Sequence, residues 1–143
     1  MTEPILVERH VQAPPSAVYE YLVDPTLVAT WFGESCSLDG TPGGDFAMLS
    51  PNGMTASGEV VEVVDGRKIS FTWGWNGHPG VPPGSTLVEI ELIADGEGTL
   101  VRLTHSELDL DEQPIHRTGW VHYLARLATA ATGDNPGPDP GAA

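Results

Sequence analysis

The feature that most constrains this chain is a change of hydrophobic period between His105 and Pro114. From Asp45 to His105 apolar residues recur at alternate positions; from Pro114 to Thr132 they recur every three or four. Alternation puts successive side chains on opposite faces of a sheet, whereas a 3–4 spacing lays one stripe along a helix. The strand patterns are explicit. Ile69, Phe71, Trp73 and Trp75 share one face of Lys68–Trp75; Val88, Ile90 and Leu92 share one face of Thr86–Ile93; Val101, Leu103 and His105 share one face of Thr99–His105. In the final segment Trp120, Leu124, Leu127 and Ala131 form the stripe, with Val121 and Ala128 beside it, and Gly133 ends the helix as a C′ residue. A run of strands closed by one helix is the α+β pattern, the helix lying across a curved antiparallel sheet.

The segment before this run supplies one more strand and two short helices. Ile5 to Gln12 alternates, with Ile5, Val7, Arg9 and Val11 on one face. Pro15 then opens a helix bearing Val18, Tyr21 and Leu22, and Asp24-Pro25 caps a second that ends near Trp31-Phe32-Gly33. Asp45–Leu49 and Met54–Val64 are further strands, separated by the Pro51-Asn52-Gly53 turn; the Val60-Val61 and Val63-Val64 pairs leave the facing of the second one open. About six strands are expected after the short helices. Residues 74–85, rich in Gly and Pro, form a loop, and its part 76–84 is either a lid or a rigid rim. The domain is expected to span 1–132, and the Gly-, Pro- and Asp-rich segment 133–143 to be a disordered tail.

Charge excludes several functions. With 6 Lys and Arg against 20 Asp and Glu, the net charge is −14, which gives neither nucleic-acid phosphates nor an anionic membrane a basic face. No apolar run reaches the length of a membrane-spanning helix, and Met1-Thr2-Glu3-Pro4-Ile5, with neither a basic region nor a long apolar stretch, is not expected to act as a signal peptide. Cys36 stands alone, so no intramolecular disulfide forms and a cytoplasmic location is the expectation.

The order of local signatures resembles a known family. Arg9-His10-Val11-Gln12-Ala13-Pro14 followed by Val18-Tyr19, Asp24-Pro25, Trp31, Gly43-Gly44, Gly58-Glu59-Val60, Phe71-Thr72-Trp73, Gly98-Thr99, Leu103-Thr104-His105 and Gly119-Trp120 are similar to the single-domain relatives of the activator of heat-shock-protein-90 ATPase. These belong to the START-like, or SRPBCC, helix-grip superfamily. The resemblance implies a curved antiparallel sheet wrapped around the long C-terminal helix, with a cavity between them. Across that superfamily such cavities bind lipids, sterols, polyketides and hormones. The matched motifs are signatures of fold, and fold alone does not transfer function.

No catalytic set is legible. Ser35-Cys36-Ser37 lacks a nucleophile elbow, and Cys36 reads as an inert thiol. His116 and His122 lie six residues apart on one helix and cannot share a metal; His10, His78 and His105 add no cluster. Gly40-Thr41-Pro42-Gly43-Gly44 lacks the Lys and helix of a phosphate loop. No catalytic residue, metal or cofactor is therefore assigned. Polar residues on apolar faces are the better signal. Arg9 and His105 are candidate anchors for a ligand carboxylate, phenol or carbonyl; otherwise Arg9 pairs with an internal Glu or sits at the rim, and His105 is a satisfied strand-end histidine. Trp73 and Trp75 run into the Gly/Pro loop as a cavity mouth that can stack on a flat ligand, and Tyr123, one turn from Trp120, offers a hydroxyl. With Trp31 and Phe46 these complete the expected ligand contacts; Phe71 and Trp120 read as core.

Three functions are open at this point. The first is a binding protein for a hydrophobic, ring-containing small molecule: a lipid, a polyketide or an aromatic metabolite. The second is a cyclase-, aromatase- or hydrolase-like enzyme using His105 or Tyr123 as acid or base. The third is a module that contacts a chaperone ATPase and holds no ligand.

Overall fold

A computed structural model describes residues 3–141. The sequence readings that touch Met1, Thr2, Ala142 and Ala143 lie outside the described residues. The chain runs β1 (Ile5–Val11), α1 (Pro15–Val23), α2 (Pro25–Val28), β2 (Ser35–Leu38), β3 (Asp45–Leu49), β4 (Thr55–Val64), β5 (Lys68–Trp73), β6 (Thr86–Asp95), β7 (Gly98–Ser106) and, after a 3₁₀ turn at Leu110–Glu112, α3 (Gln113–Ala131). All seven strands join one antiparallel sheet in the order β1-β7-β6-β5-β4-β3-β2. Six strands thus follow one another as neighbours, and only β1 closes from a distance, Ile5 opposite His105 and Val11 opposite Thr99. The α+β helix-grip architecture read from the sequence is the observed one.

Local chemistry explains the boundaries. Asp24 accepts from the Thr26 N–H at 2.9 Å, so the cap lets the chain leave α1 and start α2 within one residue. The Val pairs of β4 are settled by a register shift between Val60 and Glu62. Val60 is buried and Val61 half out in solvent because the bulge inserts a residue there. The strand β2 was not located from the sequence; four residues reading Ser-Cys-Ser-Leu carry too little alternation to mark it.

The sheet's concave face and α3 bury one core. Trp120, Leu124, Leu127 and Ala131 are all buried, and burying the first three contributes about 5–8 kcal/mol before entropy. Two further helix positions stand out. Val121 is exposed, since a residue one step past Trp120 points about 100° away from the stripe. Arg126 is buried, because its guanidinium is surrounded by backbone acceptors: Nε donates to Trp31 O at 3.0 Å and an NH2 group to Gly137 O at 2.9 Å.

That last contact changes the picture of the C-terminal segment. Residues 133–141 were expected to leave the domain unattached, yet they lie back along α3. The Asp139 carboxylate accepts from Tyr123 Oη at 2.6 Å, His122 Nε2 at 2.7 Å and Gly141 N–H at 2.9 Å, and its side chain is fully enclosed. Low apolar content did not predict this, because the segment is held by polar contacts to α3 rather than by hydrophobic burial. The loop after β5 is likewise fastened. Trp75 N–H donates to Val81 O at 2.7 Å, His78 Nε2 lies 3.1 Å from Glu112 Oε2, and Val81 is buried. These contacts tie the loop to its own ends and to the 3₁₀ turn before α3. Gly74 makes the close approach possible, since a Cβ there would run into the Pro82 carbonyl.

Candidate functional site

A cavity of about 200 Å³ opens between α3 and the end of β5. Helical spacing places His116, Gly119, Trp120 and Tyr123 on one face of α3 as its wall, with Ile115 at the edge. Trp73 from β5, Trp75 just beyond it and Met48 from β3 form the opposite side; Ser50, Asn52 and Gly141 complete the mouth. The tail residue Gly141 is part of the wall, and so the fastened segment helps define the site.

Of the seven sequence candidates, Trp73, Trp75 and Tyr123 line this cavity together. Trp31 and Phe46 do not. They lie deeper, around a void of about 10 Å³ that is no larger than one water needs. There Trp31 Nε1 donates to Tyr21 O at 2.8 Å, and Phe46 packs on Phe71 and Phe32 at 4.7 and 5.8 Å. Arg9 is exposed on β1 opposite Val101, makes no hydrogen bond or ion pair among the described residues, and lines neither space.

His105 stands behind the cavity wall, fully buried, with both ring nitrogens paired. Trp120 Nε1–H donates to Nδ1 at 2.9 Å. An indole N–H can only donate, so the imidazole proton sits on Nε2 and is given to Thr86 Oγ1 at 2.8 Å. Thr86 in turn donates to Trp73 O at 2.8 Å. The chain of bonds ties α3 to β7, β6 and β5 with no donor or acceptor left over. Burial, with His116 nearby, pushes the His105 pKa down to about 3, so the ring is neutral.

The sequence offers His116 only as a metal ligand, yet it lines the cavity. Its Nδ1–H donates to Glu112 O at 2.7 Å and its Nε2 accepts from Trp75 Nε1–H at 2.9 Å. This pins the second indole against α3. Burial lowers its pKa, and the two bonds fix the neutral tautomer. The signal that could have found it was spacing, since His116 is four residues before Trp120 and shares its face. Tyr123 gives its proton to Asp139, and burial followed by that bond raises the phenol pKa well above its ordinary value. Trp73 Nε1 is buried with no hydrogen-bond partner among the described residues. Such an unmade bond costs about 1–3 kcal/mol and marks places where packing has not been optimised for stability.

The aromatic walls are mutually inclined. Trp73 and Trp75 meet at 84° with centroids 5.3 Å apart, and Trp73 and Trp120 at 54° and 5.1 Å. The two indoles expected to stack on a flat ligand therefore form a corner. Among the described residues no group of three His, Cys, Asp or Glu side chains could hold a metal, and no helix is long and apolar enough to cross a membrane.

Comparison with known proteins agrees with this architecture. DynU16, a protein of the dynemicin biosynthetic locus, superposes with a TM-score of 0.82 at 26% identity over 97% of this chain, which spans about half (51%) of DynU16. CalU16 from Micromonospora echinospora gives 0.75 at 25% identity, covering 91% of this chain and 76% of its own. An AHSA1-like protein from Rhizobium etli is 41% identical over 98% of this chain and 89% of its own, with a TM-score of 0.69. No curated protein matches the chain. The family described as activator of Hsp90 ATPase homolog 1-like protein matches residues 12–132, and the chain belongs to that family.

Proposed function

We propose that this protein binds a small hydrophobic, ring-containing molecule in the cavity between α3 and the end of β5. The observation that carries this reading is the cavity itself: about 200 Å³ walled by three indoles, a phenol and a methionine, where the rest of the core is closed. Its size selects within the range of ligands. A cavity of about 150 Å³ takes a benzene, whereas drug-sized ligands occupy roughly 300–1,000 Å³, so one or two rings fit. Aromatic metabolites suit it better than a lipid chain. The likeness to DynU16 supports a setting in small-molecule biosynthesis.

The acid–base alternative asks His105 or Tyr123 to exchange a proton with a ligand. Both His105 nitrogens are already committed, and the Tyr123 proton goes to Asp139. The ligand-free chaperone module would be favoured by a filled interior, and the open, apolar space weighs against it.

Titration of intrinsic tryptophan fluorescence with a panel of one- and two-ring aromatic compounds tests the proposal. Saturable quenching that weakens in Trp75→Leu but not in Trp31→Phe is the expected outcome. Equal loss in both variants, or no saturable member in the panel, would refute it.

A further inference from the structure

We infer that the docked C-terminal segment is a built-in occupant of a carboxylate site on α3, and that an aromatic acid displaces it. This rests on the small-molecule reading above and names the chemistry of that ligand and what controls its entry. A carboxylate already sits in the site. Asp139, its side chain fully enclosed, accepts from Tyr123 Oη at 2.6 Å and from His122 Nε2 at 2.7 Å. Its third bond, from Gly141 N–H at 2.9 Å, is internal to the segment and leaves with it. Two short bonds from side-chain donors to one charged acceptor recognise a carboxylate, whichever molecule brings it.

The donors belong to the helix and stay when the segment goes. In a chain with 20 Asp and Glu, α3 has none, and it carries Arg117, Arg126, His116 and His122. His122, Tyr123 and Arg126 stand at i, i+1 and i+4, so Arg126 neighbours both of the others on the helix surface. Its guanidinium is buried, yet its partners among the described residues are neutral carbonyls: Trp31, and in the segment Pro136, Gly137 and Pro138. Departure of the segment uncovers a cation that has no acid of its own, beside a hydroxyl and an imidazole N–H left unpaired. Such a set is costly to leave empty and is satisfied by an anion. Glu34, the other acid along this face, is exposed and screened by solvent.

Tyr123 joins this site to the cavity, with its ring in the cavity wall and its hydroxyl on Asp139. The segment is the partition. Gly141 lines the cavity, whereas Gly137, Pro138 and Asp139 line a groove of about 360 Å³ closed on its other side by Arg126 and Pro51. With the segment displaced, the two spaces meet beside Tyr123: a ring occupies the cavity and a short chain carries its carboxylate to the place of Asp139. The exchange is even, because the acid replaces Asp139 bond for bond. Residues 133–141 hold no large apolar side chain whose burial would resist it.

The test uses the full-length protein and two probes of equal size in the fluorescence titration, 4-phenylbutanoate and its neutral amide. In Asp139→Ala, which empties the site and leaves the α3 donors in place, the acid should bind about tenfold or more tightly than to the parent, and the amide should change by about threefold or less. In Tyr123→Phe, which keeps the ring, the acid should weaken about tenfold or more relative to the amide. Saturating acid should speed exchange of the Gly141 amide in the parent. Unchanged acid affinity in Asp139→Ala, or a Gly141 amide equally protected at saturating acid, overturns the inference, while binding of either probe leaves the small-molecule reading standing. Binding of neither probe to parent or variant overturns both.

Discussion

Replacing His105 with Gln removes the only titratable group from the bond chain that joins α3 to the sheet while keeping a donor and an acceptor in place. In the native protein the imidazole is fully buried and its pKa is pushed down to about 3, against about 6.5 when unfolded. The unfolded chain therefore binds more protons in this window, and stability falls as pH falls from about 6.5 toward 3. At pH 4.5 the unfolded imidazole lies two units below its pKa while the folded one is still neutral, which amounts to about 2.7 kcal/mol at 1.36 kcal/mol per unit. At pH 7.5 the same contribution is near zero. The Gln variant should be less stable than the parent at pH 7.5 by about 1–3 kcal/mol, from imperfect bonding of Trp120 Nε1–H and Thr86. On acidification the parent should then lose about 2.7 kcal/mol more than the variant, so that the two curves converge or cross by pH 4.5. His116, also lowered by burial, and the carboxylates act in both proteins and cancel in the comparison. Urea unfolding followed by fluorescence at pH 7.5, 6.5, 5.5 and 4.5, at constant ionic strength, measures this. Parallel curves would refute the assignment of a buried, neutral His105.

Asp139→Asn should loosen the C-terminal segment, costing about 1.5–3 kcal/mol for two bonds to a charged acceptor, and raise amide exchange in residues 134–141. Although burial alone would raise the Asp139 pKa, the bonds from Tyr123, His122 and Gly141 lower it overall. The native segment should therefore stay docked above the ordinary carboxylate range and release only as pH falls below it. Gly74→Ala should destabilise by about 3 kcal/mol or more in thermal unfolding, since the new methyl meets the Pro82 backbone, whereas Gly119→Ala, inside α3 with open space around it, should cost nothing measurable. Burial pushes the Cys36 thiol up to about 12, so its labelling by a thiol reagent at pH 8 should be about a hundredfold or more slower than in urea.

The sheet and helix were legible because period is a property of the sequence. Ile69, Phe71 and Trp73 had to share a face, and Trp120, Leu124 and Leu127 had to share a stripe. Trp75 and Tyr123 were found near the cavity by the same logic, carried one step past a strand end and one turn along a helix. What could not be read was how far each apolar face stays open. Trp31 and Phe46 face inward as expected, yet they meet Phe32 and Phe71 and leave a void of only about 10 Å³. That outcome depends on side-chain volumes arriving from separate elements. Arg9 has the parity of an inward residue and is nonetheless exposed. The C-terminal segment misled for a different reason, because composition reports apolar burial and says nothing of an Asp that meets a Tyr, a His and a backbone N–H.

The central claim is that the space beside Trp73, Trp75 and Tyr123 holds a small molecule. Native mass spectrometry tests it most directly, on protein purified gently from its host and then incubated with a small-molecule extract of the same cells. The account predicts a non-covalent adduct of about 100–300 Da, the mass of one or two substituted rings, that disappears on denaturation. An unliganded mass both before and after incubation would contradict it.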